Sequence, residues 1–313
     1  MTTSPPVVSV ILPTHNRAHL VGRAIRSVLA QTFFRWELLV VDDSSRDHTE
    51  EVVRAVADER IRYLRHAENR GVAAARNTGI RAAGPTGYLA FLDDDDEWLA
   101  HKLERQLEAF RTSDLELGAV GCGRVDYDGP SAEEFIPRVR GVIFEDLLAR
   151  RARGYGAPLL LVRRFPSSPD VLFDERFPCL EDAEYVLRLA RSHPLDFVPE
   201  PLVKVHRNDG GPHLWNPVNT IEGYRLLLEK YADDIAARPR ILSFYQFCIA
   251  RERLRLGDRG EARRLLKAAL ISSPTEWRLY VWIMACGFGR FPARVCGKLF
   301  PLGPPRAPGT VHP

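Results

Sequence analysis

The chain has 313 residues, 45% of them hydrophobic and 27% charged, which excludes a fibrous or disordered protein and predicts a soluble globular one with a single large domain or a main domain and an appendage. Its formal net charge of +3 argues neither for nor against nucleic acid, and no nucleic-acid partner is expected. The distribution says more: residues 235–313 hold 14 Lys and Arg against 4 Asp and Glu, so an acidic body carries a basic tail, which suits an anionic surface near the tail.

The five cysteines are odd in number and form no CxxC pair, as expected for free thiols in a reducing cytosol. Residues 7–12 are too short for a signal-peptide core, and no run of about 18 apolar residues marks a membrane span. A cytoplasmic chain is expected, with peripheral contact at the inner face of the membrane as an extension of the basic tail.

In chain order, residues 7–12 form a β-branched apolar run that Pro13 is expected to close. Residues 20–30 place Leu20, Ala24, Ile25, Val28 and Leu29 on one helical face. Then come an apolar strand at 37–41, a short helix at 49–57 beginning near Asp47 or His48, and a strand at 61–64. An alanine-rich helix at 71–83, a strand at 88–92 and an amphipathic helix at 98–110 complete this part. Continuous apolar strands separated by helices of this length predict βαβ units and a Rossmann-like, mostly parallel sheet covered on both faces. Residues 118–206 are less regular and read as the acceptor half of the same domain, and 208–217 as a mobile loop. From residue 220 onward the pattern turns helical, with a hairpin of 241–256 and 261–270 across Gly257-Asp258-Arg259-Gly260. The expected division is a catalytic domain over 1–215, a helical appendage over 216–300 and a disordered proline-rich tail over 301–313.

Ligands of such sheets bind beyond the carboxyl ends of the strands. Three polar clusters fall there: Pro13, Thr14, Asn16 and Arg17 after the first strand, Asp42 and Asp43 after the second, and Asp93-Asp94-Asp95-Asp96 after the fourth. Adjacent carboxylates repel one another unless a cation sits among them. Alternate residues of an extended segment point the same way, so Asp93 and Asp95 can converge on Mg²⁺ or Mn²⁺ that takes its remaining oxygens from a nucleotide diphosphate. The bland alternative is a helix start, with Asp96 and Glu97 heading the helix from Trp98. Asp42 or Asp43 can accept from a base N–H or a ribose hydroxyl. Asn69-Arg70-Gly71 leads into a helix whose Arg76 can reach a phosphate. Glu181-Asp182, at a later helix start, offers a separate carboxylate as a general base.

These residues resemble the family 2 glycosyltransferases. The matching segments are Val8 to Arg17, Val40-Val41-Asp42-Asp43-Ser44-Ser45, Asn69 to Gly79, Phe91 to Trp98, and Leu180-Glu181-Asp182-Ala183-Glu184-Tyr185, in the family's order. The resemblance implies a glycosyltransferase A-type α/β fold and inverting transfer from a nucleoside-diphosphate sugar, UDP-, GDP- or dTDP-linked. It implies an acceptor glycan or lipid-linked sugar, in cell-surface polysaccharide or glycolipid synthesis. It places the family's D-x-D on Asp93 and Asp95, its nucleotide carboxylate on Asp42 or Asp43 and its base on Asp182 beside Glu181. The strand at 199–207 resembles the one before the family's flexible loop, which brings His206 toward the metal or diphosphate. Asp94 stands where the family commonly has a small residue, so Asp94 stays open as a substrate or metal contact.

Two other classes stay open: a nucleotidyltransferase, although Pro13 to Arg17 is not the Gly-rich loop of that class, and a non-catalytic sugar-nucleotide-binding scaffold. In the tail, Arg278, Arg290, Arg294 and Lys298 interleave with Trp277, Tyr280, Trp282, Phe288, Phe291 and Phe300. That mixture suits either an anionic membrane interface or a packed helix with a solvated basic face.

Overall fold

A computed structural model describes residues 5–128, 131–207 and 216–287. The expected strands and helices alternate through the first half: β1 (Val8–Thr14), α1 (Ala18–Leu29), β2 (Trp36–Asp42), α2 (Thr49–Arg54), β3 (Ile61–Arg65), α3 (Val72–Ala82) and β4 (Tyr88–Phe91). β1 is buried along its whole length and β2 at all but one position. That is why both read as unbroken apolar runs rather than alternating ones. β1 pairs in parallel with β2 and β4, and β2 with β3.

β1 runs two residues past the expected stop. Ile11 accepts from the backbone N–H of Leu92, so alternate residues turn their backbone groups toward β4. Pairing with β4 ends at Phe91, opposite Ile11. Pro13 therefore faces a side with no ladder left to break, and its missing N–H costs nothing.

The remaining elements of the sheet and its flanks are β5 (Glu97–Trp98), α4 (Lys102–Thr112), β6 (Ala119–Asp128), β7 (Ser131–Phe135), α5 (Phe144–Leu148), β8 (Leu161–Arg163), α6 (Glu181–Ser192) and β9 (Leu195–His206). The sheet has nine strands, ordered β3-β2-β1-β4-β8-β6-β9-β5 with β7 on β6. Its first four strands are parallel, and β8 then joins β4 antiparallel, making the sheet mixed. The helix expected from Trp98 is a correction. Glu97 and Trp98 pair with Lys204 and Val203 of β9, and α4 starts only at Lys102 with His101 as its cap. Asp96 and Glu97 thus do not head a helix, and the bland explanation of the acidic run falls away.

Gly79 lets α3 lie directly on β1, since a Cβ there would come 2.4 Å from Ile11 Cγ2. That close approach sets the position of the α3 side chains described below.

Among the described residues the chain divides into two compact units. The first is drawn from Met1–Phe144, Ala152–Glu175 and Asp182–Gly211, and the second from Glu145–Arg151, Arg176–Glu181 and Pro212–Pro313. The second unit holds α7 (Pro217–Lys230), α8 (Ala232–Ala236), α9 (Pro239–Arg255), α10 (Arg259–Ser272) and α11 (Trp277–Gly287). The expected hairpin is α9–α10, turned by Gly257 at φ +82° and capped where Asp258 accepts from the Glu261 N–H at 3.1 Å. Asn216 and Pro217, at the end of the expected loop, instead cap and begin α7. The rest of that loop and the proline-rich tail lie outside the described residues.

Candidate functional site

The three polar clusters meet on one sheet edge. In the parallel register Thr14 stands opposite Asp42, so β1 and β2 end together. Asn16 and Ser44 take left-handed backbone conformations, with φ of 53° and 67°. These turns let the two loops bond each other: Ser45 Oγ accepts from the Asn16 N–H at 2.8 Å, and Asn16 Oδ1 accepts from the Arg46 N–H at 2.7 Å. Asn16 is therefore a loop-to-loop brace.

The acidic run alternates. Asp94 and Asp96 are buried, whereas the Asp93 and Asp95 side chains keep 31% and 29% of their exposure. Arg76 Nη2 donates to Asp93 Oδ1 at 2.7 Å, and Arg17 Nη1 donates to Asp95 Oδ2 at 2.6 Å. Thr14 Oγ1 donates to Asp94 Oδ2 at 2.7 Å, with Arg17 3.5 Å away. Burial pushes Asp94 up to about 7 against the opposing pull of Thr14 and Arg17. Burial also raises Asp96, helped by the charges of Asp93 and Asp95. Burial pulls Arg17 down, but Asp94 and Asp95 outweigh it and hold the guanidinium above its usual range.

Among the described residues, Asp93 Oδ2 and Asp95 Oδ1 accept from no protein donor. Two hard carboxylate oxygens on one edge, with cationic side chains to either side, fit a divalent cation that draws its other oxygens from phosphates. His206 does not join them. Its Nε2 pairs with Glu97 Oε1 at 2.7 Å, and its ring stacks on Tyr127. No group of three His, Cys, Asp or Glu side chains converges on a metal position among the described residues. Of the expected Asp93, Asp95 and His206, the two aspartates share the edge, while the His206 ring is held by Glu97, which stands opposite Lys204, two residues before His206, in the β5–β9 strand pair.

Asp42 and Asp43 also have protein partners. Asp42 is fully buried and accepts from the Tyr63 hydroxyl and, at 2.7 Å, from the Ser45 N–H. Asp43 accepts from His66 Nδ1 at 2.7 Å and from the N–H groups of Arg70 and Gly71 at 2.8 and 2.7 Å. His66 Nε2 in turn meets Thr78 Oγ1 at 2.8 Å. Both carboxylates are therefore engaged with protein donors, and Asp43 shapes the entry to α3. Gly71 serves through its backbone, at φ +87°, as the residue before that helix, while Asn69 is exposed beside it.

Asp182 sits half-buried in the first turn of α6, after Glu181, which is buried. Leu180 enters that turn at φ +66°. One turn on, Tyr185 stacks on Phe173 at 4.2 Å and meets Phe91 edge-on at 5.7 Å. Phe91 ends β4, so the strand leading into the acidic run is packed against the helix carrying Asp182. Phe173 also lies 5.2 Å beneath the Arg76 guanidinium, and its backbone exchanges two hydrogen bonds with the Asn77 side chain, at 2.7 and 2.9 Å. Gly156 leaves room for the carboxylate, since a Cβ there would stand 3.2 Å from Asp182 Oδ2. The sequence offered no signal for Phe173 as a hub, nor for His66, Thr78 or Tyr63, because only distant chain segments give them their partners.

Residues 9–158 match the family model described as Glycosyl transferase family 2. The chain is 37% identical over 150 residues to the putative teichuronic acid biosynthesis glycosyltransferase TuaG of Bacillus subtilis, a match that covers 47% of this chain and 59% of that protein. It is 46% identical over 101 residues to the Escherichia coli UDP-Glc:alpha-D-GlcNAc-diphosphoundecaprenol beta-1,3-glucosyltransferase WfgD, covering 32% of this chain and 40% of that protein. The chain thus spans less than two thirds of either relative. Staphylococcus aureus TarS 1–349, solved with UDP-GlcNAc, superposes with a TM-score of 0.65 at 17% identity over 92% of this chain and 87% of that one. That likeness establishes the mixed α/β glycosyltransferase A-type fold. Through residues 9–158 the chain thus matches glycosyl transferase family 2.

Proposed function

We propose that the chain is an inverting glycosyltransferase that moves a sugar from a nucleoside diphosphate to an acceptor hydroxyl, in the synthesis of a cell-surface polysaccharide or glycolipid. The observation that carries this reading is the direct bonding of Arg17 and Arg76 to Asp95 and Asp93, at the edge where three strands end. A site that alternates cations with half-exposed carboxylates suits a diphosphate and its counter-ion. The name of WfgD and the ligand of TarS support a UDP-linked donor, and the name of TuaG supports polysaccharide synthesis. The name of WfgD supports an acceptor carried on a lipid diphosphate.

In this reading residues 1–215 form the catalytic domain, 216–300 a helical appendage and 301–313 a tail. The Asn16–Ser45 and Asp43–Gly71 contacts hold the loops that receive the nucleotide. Asp93 and Asp95 would hold Mg²⁺ or Mn²⁺, which when bound supplies positive charge against the departing diphosphate. Arg17 and Arg76 stabilise the same charge from the protein side. Asp182 takes the acceptor proton. The acceptor oxygen then bonds to the anomeric carbon as the bond to the diphosphate oxygen breaks on the opposite face, which inverts that carbon. Cytoplasmic placement with peripheral membrane contact belongs to the same proposal.

A hydrolysis screen across UDP-, GDP- and dTDP-sugars, with and without Mn²⁺, tests it. Slow, Mn²⁺-dependent release of a nucleoside diphosphate from one donor is expected. Pyrophosphate release from a sugar phosphate and a nucleoside triphosphate, with every donor left intact, would overturn it.

A further inference from the structure

We propose that one face of α11, with the arginine-lined recess beside it, seats the protein on an anionic phospholipid bilayer. This deepens the membrane part of the reading above and lies wholly within the helical unit. α11 has two apolar faces. Leu279 and Trp282 turn inward, at 0% and 1% exposure, with Trp282 edge-on to Phe247. Trp277, Tyr280 and Met284 stay 56%, 48% and 58% exposed. Their i, i+3, i+7 spacing puts all three on one side of the helix. A helix that needed only to pack would have used polar residues there. Just before it, at the end of α10, Ile271 is 82% exposed.

The turn between Ile271 and Trp277 borders a cavity of about 440 Å³. Arg151, Arg238, Arg240, Glu145, Ser273 and Thr275 are among its lining residues. Arg238 is paired with Glu145 and Arg151 with Asp146, but Arg240 is exposed and makes no ion pair among the described residues. The Tyr280 hydroxyl donates to the Pro274 carbonyl at 3.4 Å, which ties the aromatic face to the rim of the recess. Exposed tryptophan and tyrosine favour the level of lipid headgroups, and a guanidinium matches a headgroup phosphate.

Charge selects the occupant. Residues 288–313, which follow the helix, hold four Lys and Arg and no acidic residue. A polybasic segment directly after an exposed aromatic face is the pairing by which a peripheral protein gains anionic lipid. No described helix is long and apolar enough to cross a membrane, so this contact is one that lies on the surface.

Flotation of the full chain with phosphatidylcholine vesicles, with and without about 30% phosphatidylglycerol, tests the proposal. Binding to the anionic vesicles alone is expected, weakening as salt rises from about 0.1 to about 0.5 M. The triple variant Trp277→Ser, Tyr280→Ser, Met284→Ser should bind at least ~10-fold more weakly, and so should Arg240→Glu, whereas Trp277→Phe should retain binding. Circular dichroism checks that each variant folds, and donor hydrolysis should be unchanged in all of them. Equal binding to both vesicle types, or a triple variant that floats like the parent, would overturn the proposal. A dimer that the triple variant splits, without any vesicle binding, would assign the face to a second copy instead. Loss of donor hydrolysis in the parent chain would refute the glycosyl-transfer reading and leave the flotation result standing.

Discussion

Arg17 donates from Nη1 to Asp95 Oδ2 at 2.6 Å across 78 residues of chain. The loop after β1 thereby neutralises the loop after β4, and in the proposed function a nucleotide diphosphate entering between them would meet a guanidinium already at the site. Arg17→Met should weaken UDP binding in Mn²⁺ by about 10- to 100-fold, the range of one charge-assisted hydrogen bond. Isothermal titration calorimetry measures this, and unchanged affinity would remove Arg17 from the diphosphate site.

The two carboxylate roles separate by substitution. Asp95→Asn should lose Mn²⁺-dependent nucleotide binding. Asp182→Asn should bind nucleotide like the parent while transfer falls by roughly 10²- to 10⁴-fold, the usual contribution of a positioned base. Parallel titrations and single-turnover assays distinguish the two, and a normal transfer rate in Asp182→Asn would rule out the base assignment.

Phe173 is 3% exposed and touches Arg76, Asn77, Phe91 and Tyr185. Phe173→Ala should cost about 3–5 kcal/mol, from lost burial and the cavity left behind. Chemical denaturation gives the value. Phe173→Leu should recover most of the stability and less of the activity, because the aromatic face beneath Arg76 is not restored.

Lys102 is fully buried, with its Nζ 2.8 Å from Gln106 Oε1 and 4.1 Å from the Trp98 ring centre. Burial lowers its pKa from 10.5 to about 8. Between those values the unfolded chain holds a proton that the folded one has released. Stability contributed by Lys102 is therefore fully present above 10.5 and is lost as pH falls through about 8. Burial raises Cys122 from 9.0 to about 11, so its share is present below 9.0 and lost as pH rises through about 11. The native chain should thus gain stability from pH 8 to 9, at up to about 1.4 kcal/mol per pH unit, before the thiol opposes it. Urea midpoints across that window, compared with Lys102→Met, measure the effect, and equal slopes in both chains would contradict it.

Much of the site could be read before any coordinates. Thr14, Asp42 and Asp93 lie at or just beyond the ends of buried strands, and burial on both sheet faces leaves a continuous apolar run that marks such ends in the sequence. Glu97 shows the limit. Acidic residues ahead of an amphipathic stretch resemble a helix start, yet pairing with Lys204, over a hundred residues away, drew Glu97 and Trp98 into a strand. The antiparallel insertion of β8 between β4 and β6 was hidden for the same reason, since β8 has three residues and no periodicity to reveal it.

By itself the sequence determined the alternation of strands and helices, the order of the motifs and the edge on which they gather, because hydrophobic period and turn chemistry are local. Only the tertiary structure decided which carboxylates of the acidic run keep some exposure, that Asp43 holds the entry to α3, that His206 pairs with Glu97, and which face of α11 stays exposed. Each of these depends on a partner far away in the chain, and residue spacing along one segment carries no record of it.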